Sequence, residues 1–156
     1  MNSVKDFMTK KVVTVKPLTS LVEAARSIVD HGFDGLPVVN DENKLVGIVT
    51  QYDLINKGTG NHLPTMQMVL ENLKMFEEEL PTFHKEVEEI SSLVVGDVMN
   101  DDPLTFTEST TFEDAVQAFR QHHRVNPVPV INGEHKVVGV VSRFDIINLF
   151  KVMPMQ

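Results

Sequence analysis

The sequence predicts a mixed α/β fold of the α+β type, in which two β-α-β-β-α repeats pack as a pseudo-two-fold pair with a helical insert between them. The main observation is an internal repeat: residues 47–53 (GIVTQYD) return as residues 139–145 (GVVSRFD), 92 positions later. Upstream, residues 4–8 (VKDFM) return as residues 95–99 (VGDVM), 91 positions later. A unit of this length buries little apolar surface by itself, so we expect the two copies to pack on each other.

The repeats divide the chain into a first repeat, an insert and a second repeat, at residues 1–58, 59–94 and 95–156. The offset between the copies is 91 in the first half of each repeat. It is 92 from Pro37 onward, because Pro37 matches Pro129. The second copy therefore carries one extra residue, near residues 124–128.

Each repeat shows the same order of elements. In the first repeat we predict strand, helix, strand, strand and helix at residues 12–15, 21–31, 36–40, 45–50 and 50–57. Ser20, with Glu23 three residues later, is a capping box for the first helix, and His31-Gly32 ends it. The second repeat predicts a strand at 104–107, a helix capped by Thr110 with Glu113, a hairpin of 128–131 and 137–142, and a helix at 143–150.

The insert has no counterpart in either repeat. Apolar residues at three- and four-residue steps predict an amphipathic helix from Met66 to Leu80 and, beyond Pro81, a second one from Phe83 to Val94. The simpler interpretation is a helical hairpin that covers exposed surface of the repeats. The alternative is a dimerisation arm or a lid over a cleft.

The composition limits the possible partners. A net charge of −8 argues against broad binding to a nucleic-acid backbone, which needs clustered Lys and Arg. No segment is apolar for long enough to span a bilayer, and no secretory signal is visible. The absence of cysteine excludes disulfides, thiolate nucleophiles and Cys-based zinc sites. It fits a reducing compartment, so we expect a cytoplasmic protein with no membrane or nucleic-acid partner.

The residues best suited to chemistry are two hydroxyl–aspartate pairs, Thr50/Asp53 and Ser142/Asp145. Each pair is fully explained as a capping box at a strand-to-helix junction. The same junction can also hold a nucleotide. Free N–H groups at a helix start and a hydroxyl can bind phosphate, and a carboxylate can accept both hydrogens of a ribose cis-diol. A motif of four residues does not decide between the two interpretations.

Three motifs occur twice in the same order: V-x-D-x-M at residues 4–8 and 95–99, a Pro-Val strand at Pro37 and Pro129, and G-h-h-T/S-x-x-D at the end of each repeat. In this arrangement the chain resembles a cystathionine-β-synthase (CBS) domain pair, a Bateman module, of the stand-alone kind. The resemblance covers residues 4–58 and 95–150. It implies that an adenosine-containing ligand binds between the repeats and that the protein forms a disc-shaped homodimer.

The resemblance also implies two binding sites. In the family, the Thr or Ser of the last motif meets phosphate or ribose, and the Asp takes the ribose hydroxyls. The backbone of the first strand and of the Pro-Val strand frames the adenine. One site would combine Thr50 and Asp53 with Thr14, Gly35, Leu36, Pro37 and Val38, and the other would combine Ser142 and Asp145 with Thr105, Pro127, Val128 and Pro129.

Arg143 distinguishes the two predicted sites, because the first repeat has Gln51 in its place. A guanidinium pairs with phosphate in a bidentate way, so we expect the Ser142/Asp145 site to prefer a phosphorylated ligand. The alternative is a solvated helix residue. Pro127 and Pro129 fix the nearby backbone, which would either preorganise the adenine pocket or block it.

The histidines do not predict a metal site. His31 and His122 stand at equivalent helix ends, where a cation suits the helix dipole, so helix capping is favoured over metal binding. His84 and Glu88 lie four residues apart on a predicted helix, but a solvated charged face is the simpler interpretation. We expect no metal and no required cofactor.

These patterns favour a regulatory protein over an enzyme. We find no nucleophile–base pair, glycine-rich phosphate loop or paired carboxylates. The expected ligand is AMP, ADP or ATP, with S-adenosylmethionine or NAD(H) as alternatives, and the response is a population shift between two arrangements of the repeats. The remaining alternatives are a ligand-free scaffold for dimerisation or protein docking, and an enzyme. The sequence does not identify the effector protein.

Overall fold

The computed structural model describes residues 3–59, 88–89 and 91–155. The helices are α1 (Leu21–His31), α2 (Gln51–Asp53), α3 (Val95–Val98), α4 (Phe112–Gln121) and α5 (Arg143–Asn148), and the strands are β1 (Gly35–Val39), β2 (Leu45–Thr50), β3 (Phe106–Thr107), β4 (Val128–Ile131) and β5 (Val137–Val141). Helix α2 continues as a π-helical turn over Leu54–Thr59, and α5 continues as a 3-10 turn over Leu149–Val152. The insert helices predicted from Met66 to Leu80 and from Phe83 to Val94 lie outside the described residues, except for the last few positions of the second.

Both repeats form the predicted β-hairpins, so the mixed α/β fold is confirmed. Strands β1 and β2 pair antiparallel, with Pro37 opposite Ile48, and β4 and β5 pair in the same way, with Pro129 opposite Val140. Strand β3 adds to β4 in parallel. None of the described helices has the length and apolar character needed to cross a lipid bilayer.

The first strand of each repeat is shorter than predicted. Residues 12–15 make a single parallel bridge, in which Val15 N donates to Pro37 O and Val39 N donates to Val15 O. The next rung of this ladder would need an N–H from Pro37, which proline lacks. The second repeat has Pro129 at the same place, and β3 accordingly begins at Phe106 and not at residue 104. The prediction missed this because the proline lies on the neighbouring strand.

The helix starts match the sequence with one exception. Ser20 caps α1 by accepting a hydrogen bond from Glu23 N, and Gly32 ends the helix in the left-handed conformation. In the second repeat the cap of α4 is Thr111, which accepts from Asp114 N, and the prediction of Thr110 was wrong. The Thr110 hydroxyl instead accepts from Thr107 N in the preceding turn. Ser20 and Thr111 are 91 residues apart, so the two caps stand at equivalent positions of the repeats.

The two repeats are joined by an exchange of their first segments. Val4 N donates to Thr110 O at 2.8 Å, and Val95 N donates to Thr19 O at 2.9 Å. Val4 is fully buried in the core of the second repeat, with Phe106, Phe119 and Val130 among its neighbours in that cluster. Val95 is fully buried in the core of the first repeat, in the cluster built around α1, β1 and β2. Each repeat therefore supplies part of the other's core.

The exchange continues into the last strand of each repeat. Thr9 and Val140 bond through both of their backbone groups, and Asn100 and Ile48 do the same in the equivalent place. At the far end the hairpins meet, because Leu45 N donates to His135 O and the third apolar cluster joins Val39, Leu45 and Val137. These contacts bring the carboxyl end of β2 beside the second repeat and that of β5 beside the first.

Candidate functional site

Two of the cavities between the repeats contain the hydroxyl–aspartate pairs. The first cleft has a volume of about 300 Å³ and contains Ser142 and Asp145. The first repeat contributes Gly35 and Pro37 of β1 to its wall. The other residues along this cleft are Thr9, Lys11, Val12, Val13, His31, Gly32, Phe33, Asp34, Pro127, Val140 and Phe144.

The second cleft is related to the first by the pseudo-two-fold symmetry. It has a volume of about 260 Å³ and contains Thr50 and Asp53. The second repeat contributes Pro103, Leu104 and Pro127 to its wall. The other residues along this cleft are Ile48, Tyr52, Lys57, Asn100, Arg124, Val125 and Asn126.

The structure groups the predicted site residues differently from the sequence. The resemblance placed Thr50 and Asp53 with β1 of their own repeat, but they line a cleft whose opposite wall comes from the second repeat. Ser142 and Asp145 likewise face Gly35 and Pro37 of the first repeat. The crossed first segments are the cause, since they hold the end of each last strand against the other repeat. Each cleft is therefore built by both repeats.

Both hydroxyl–aspartate pairs form the predicted capping boxes. Asp53 Oδ2 accepts from Thr50 N and Thr50 Oγ1, both at 2.9 Å. Asp145 Oδ2 accepts from Ser142 N at 2.7 Å and from Ser142 Oγ at 2.8 Å. The boxes fix each carboxylate through one oxygen, so the structural interpretation of the motif is correct, and both carboxylates also line a cleft.

The second carboxylate oxygen of each pair lies outside the capping box. Asp145 Oδ1 accepts from the hydroxyl of Thr9, at 3.1 Å, across the repeat boundary. Asp53 Oδ1 lies 3.7 Å from the ammonium of Lys57, and the Asp53 residue is only 5% exposed. One oxygen therefore holds the helix start, while the other contacts a side chain outside the capping box.

Strand alternation decides which of the remaining predicted residues reach a cleft. Gly35 and Pro37 line the first cleft, whereas Leu36 and Val38 are 1% and 0% exposed and belong to the core of the first repeat. Successive side chains of a strand point to opposite faces, so the side chains of a run of four do not all face one cleft. Val128 and Pro129 are also fully buried, and neither they nor Thr14 and Thr105 line either cleft.

Arg143 does not line either cleft. Its guanidinium donates to the carbonyl oxygens of Val125, Phe119, His122 and His123, and it packs 5.2 Å from the centre of the Phe119 ring. It therefore closes the end of α4 and the following loop. The guanidinium lines neither cleft, so it is not placed as the expected phosphate ligand, and its bonds to the loop distinguish it from a freely solvated side chain. The expected reason for a phosphate preference at Ser142/Asp145 is absent.

The polar residues of the second cleft that the sequence interpretation missed include Tyr52, Lys57 and Arg124. Arg124 NH1 donates to the Tyr52 hydroxyl at 2.9 Å, and its guanidinium lies 5.2 Å from the centre of the tyrosine ring. Lys57 donates to Val98 O at 3.2 Å. Tyr52 and Lys57 could have been suspected, since both follow the Thr50 motif within two helical turns.

A polar bridge connects the two clefts. Asn126 Nδ2 donates to Asp34 Oδ2 at 2.7 Å, and Asn126 Oδ1 accepts from Arg143 N at 2.9 Å. Asp34 O accepts from Gln51 N at 2.9 Å, so the start of each last helix is tied to the loop before the Pro-Val strand. Asn126 lines the second cleft, Asp34 lines the first, and Pro127 lines both.

The ion pair between Lys16 and Asp41 lies away from both clefts. The ammonium of Lys16 hydrogen-bonds to Asp41 and lowers the pKa of that carboxyl below its usual value of 3.8. Asp41 is exposed, so this ion pair contributes little to stability. Within the part of the chain that the structure describes, no group of His, Asp and Glu side chains could hold a metal ion.

The comparisons with known proteins agree with this architecture. The family model for the CBS domain matches residues 4–59 and 95–152. Two curated relatives from Arabidopsis thaliana are the chloroplastic CBS domain-containing proteins CBSX1 and CBSX2, 30% and 32% identical over 93% of this chain. The chain spans 62% of the length of each. A crystal structure of CBSX2 in complex with AMP matches with a TM-score of 0.70, 29% identity and coverage of 96% of both chains. With two crossed repeats and a match over both, the chain belongs to the CBS domain family.

Proposed function

We propose that this protein is a regulatory module that binds an adenosine-containing ligand in the two clefts between its repeats. The observation that carries the proposal is the pair of capped carboxylates, each with one oxygen outside its capping box and each facing the other repeat. The similarity to CBSX2, which was solved in complex with AMP, supports the same ligand class. AMP, ADP and ATP are the leading ligands, and S-adenosylmethionine and NAD(H) are the alternatives.

The proposed ligand contacts follow from the geometry. Asp53 and Asp145 accept hydrogen bonds from the ribose hydroxyls through Oδ1, as a carboxylate does in a dinucleotide site. In the first cleft Gly35 and Pro37 contribute to the apolar wall for the adenine, together with Val12 and Val13. In the second cleft, the apolar wall for the adenine includes Pro103, Leu104 and Val125. The remaining predicted residues contribute indirectly, because they pack the strands that form these walls.

The proposed mechanism is a shift between two arrangements of the repeats. A ligand in either cleft contacts both repeats at once, so its affinity depends on the angle between them. It can move the equilibrium only by the difference between its affinities for the two arrangements. No chemical step is part of the proposal, and the effector is not identified by it.

The proposal includes a homodimer in a reducing, cytoplasmic compartment, consistent with the cysteine-free sequence. The surface we assign to the dimer is the outer face of α5 and its 3-10 continuation. Ile147 and Phe150 are 59% and 65% exposed there, next to Phe144, which is 67% exposed and also borders the first cleft. Apolar side chains grouped in this way on one helix mark an interaction surface.

Calorimetric titration with AMP, together with thermal unfolding, tests the proposed function. The wild-type protein should bind two AMP molecules per chain, and Asp53→Ala and Asp145→Ala should each remove one. A ligand at about 100 times its dissociation constant adds about 2.7 kcal/mol to the free energy of unfolding, which raises the melting temperature by several degrees. Asp30→Ala, an exposed acid on α1, is the matched control and should leave both sites intact.

Two outcomes would contradict the proposed function. AMP affinity that survives the double variant Asp53→Ala/Asp145→Ala would place the ligand elsewhere. A melting temperature that responds to none of the adenosine compounds would favour the ligand-free scaffold, for which the exposed α5 face is the supporting observation.

A further inference from the structure

The second repeat has one residue more than the first in the loop before its Pro-Val strand. Two equivalent hydrogen bonds to this loop show where the extra residue lies. Gln51 Nε2 donates to Phe33 O, and Arg143 NH1 donates to Val125 O, so Phe33 and Val125 are equivalent. Between His31 and Phe33 the first repeat has only Gly32. Between His122 and Val125 the second repeat has two residues, His123 and Arg124. The insertion therefore adds a cation to the second repeat that the first does not have.

Arg124 is held at the second cleft by a residue of the other repeat. It stacks over the ring of Tyr52 and donates one hydrogen bond to the Tyr52 hydroxyl. Both side chains line the cleft. The equivalent of Tyr52 in the first cleft is Phe144, which has a ring but no hydroxyl. A guanidinium has five N–H donors, and the contacts among the described residues occupy one of them, so the group is oriented but still able to bind.

Lys57 adds a second cation to the same cleft, and its equivalent in the second repeat is Leu149. Among the described residues that line the second cleft, two cations, Arg124 and Lys57, thus accompany one carboxylate, Asp53. The first cleft instead has Lys11 and His31 with two carboxylates, Asp34 and Asp145. Because charges lining a confined cleft set the local potential, the second cleft is the better place for an anionic group.

We infer that the Thr50/Asp53 cleft is selective for phosphorylated adenosine ligands and that Arg124 is its phosphate-recognising residue. The Ser142/Asp145 cleft then recognises the adenosine part without a comparable preference for phosphate. The inference rests on the proposed function, because it assumes that adenosine compounds bind in these clefts. A planar guanidinium can bind two phosphate oxygens at once, which a flexible ammonium does not match.

The test isolates the second cleft by using Asp145→Ala as the background. Adenosine and AMP are titrated into this variant by calorimetry, and the ratio of the two affinities is the readout. We expect AMP to bind at least about tenfold more tightly than adenosine, which corresponds to about 1.4 kcal/mol. Adding Arg124→Gln should lower the ratio severalfold, because AMP binding weakens while adenosine binding does not. Arg120→Gln, which removes an exposed cation of α4 outside both clefts, should preserve the ratio.

A reciprocal experiment uses Asp53→Ala, which leaves the first cleft for the ligand. Arg124→Gln should not change the AMP-to-adenosine ratio in that background. Lys57→Gln in the Asp145→Ala background is a second variant that should lower the ratio independently. The melting temperature of each unliganded variant shows whether it is folded.

The outcomes separate the inference from the proposed function. If both ligands bind to Asp145→Ala but neither Arg124→Gln nor Lys57→Gln alters their ratio, the inference is wrong and the proposed function stands. If neither ligand binds to any folded variant or to the wild type, both fail. A ratio that depends on Arg124 only in the Asp53→Ala background would place the phosphate in the other cleft and would overturn the inference.

Discussion

Met99 of the second repeat packs directly on Gly47 of the first. A β-carbon built on Gly47 would lie 2.8 Å from Met99 Sδ and 2.8 Å from the carbonyl oxygen of Asn100. The equivalent contact is between Met8 and Gly139, where a β-carbon would lie 2.5 Å from the sulfur. The methionine of each V-x-D-x-M motif thus packs on the glycine that opens the G-h-h-T/S-x-x-D motif of the other repeat. Two motifs that are distant in sequence form one contact.

Replacing Gly47 by alanine should therefore destabilise the protein. The added methyl group overlaps a backbone oxygen that cannot rotate away, and overpacking of this kind reduces the free energy of unfolding by about 1–3 kcal/mol. Urea denaturation followed by circular dichroism measures the change. Gly133→Ala is the matched control, since no atom lies within 4 Å of a β-carbon there. Equal stability of the two variants would refute the contact.

Arg143→Gln should lower the free energy of unfolding, by about 2 kcal/mol. The guanidinium holds four carbonyl oxygens at the end of α4 and in the loop after it, and hydrogen bonds from a charged donor contribute about 1.5–3 kcal/mol. Arg120→Gln, on the exposed side of the same helix, should change stability by less than about 0.5 kcal/mol. Thermal and chemical unfolding of both variants provide the comparison. A solvated Arg143 would instead make them alike.

Asn126→Ala should weaken the association of the two repeats. The substitution removes the hydrogen bond to Asp34 across the boundary and leaves Arg143 N without its acceptor, at a cost of about 1–3 kcal/mol. Hydrogen exchange should show faster opening at the Arg143 amide than in the wild type. Asn148→Ala, an exposed asparagine at the end of α5, serves as the control. Unchanged exchange at Arg143 would show that the bridge is not formed in solution.

Ile147→Glu should disrupt the proposed homodimer. The side chain is 59% exposed at the centre of the apolar α5 face, and a buried, unpaired carboxylate opposes association. Sedimentation velocity should shift from dimer to monomer while the circular dichroism spectrum stays unchanged. Leu18→Glu changes an apolar residue that is 85% exposed away from this face, and should remain dimeric. A wild-type monomer would remove the dimer from the proposal.

The sequence predicted the elements of each repeat well because their signals are local. The apolar, β-branched runs of the hairpins and the Ser20 and Thr50 caps depend on residues within a few positions of each other, and all are present. The first strands were predicted to be too long. Their length is limited by the N–H that Pro37 lacks, and Pro37 lies on a neighbouring strand. Local patterns carry no information about that partner.

The grouping of the clefts could not be predicted in the same way. An apolar pattern shows that Val4 and Val95 are buried, but it is identical whether each packs in its own repeat or in the other. The crossed arrangement decides which wall faces Asp53. The environment of Arg143 was missed for a related reason, since the carbonyl oxygens it holds are positioned by the fold of the loop after α4.

The exchanged first segments also bear on how such a chain can arise. A polypeptide with one repeat would lack the buried valine that the other copy supplies, so it could complete its core only by trading segments with a second molecule. The present chain has the topology of that segment-exchanged dimer with its two subunits joined end to end. In such a fusion the joining segment, residues 59–94 here, has no counterpart in either repeat.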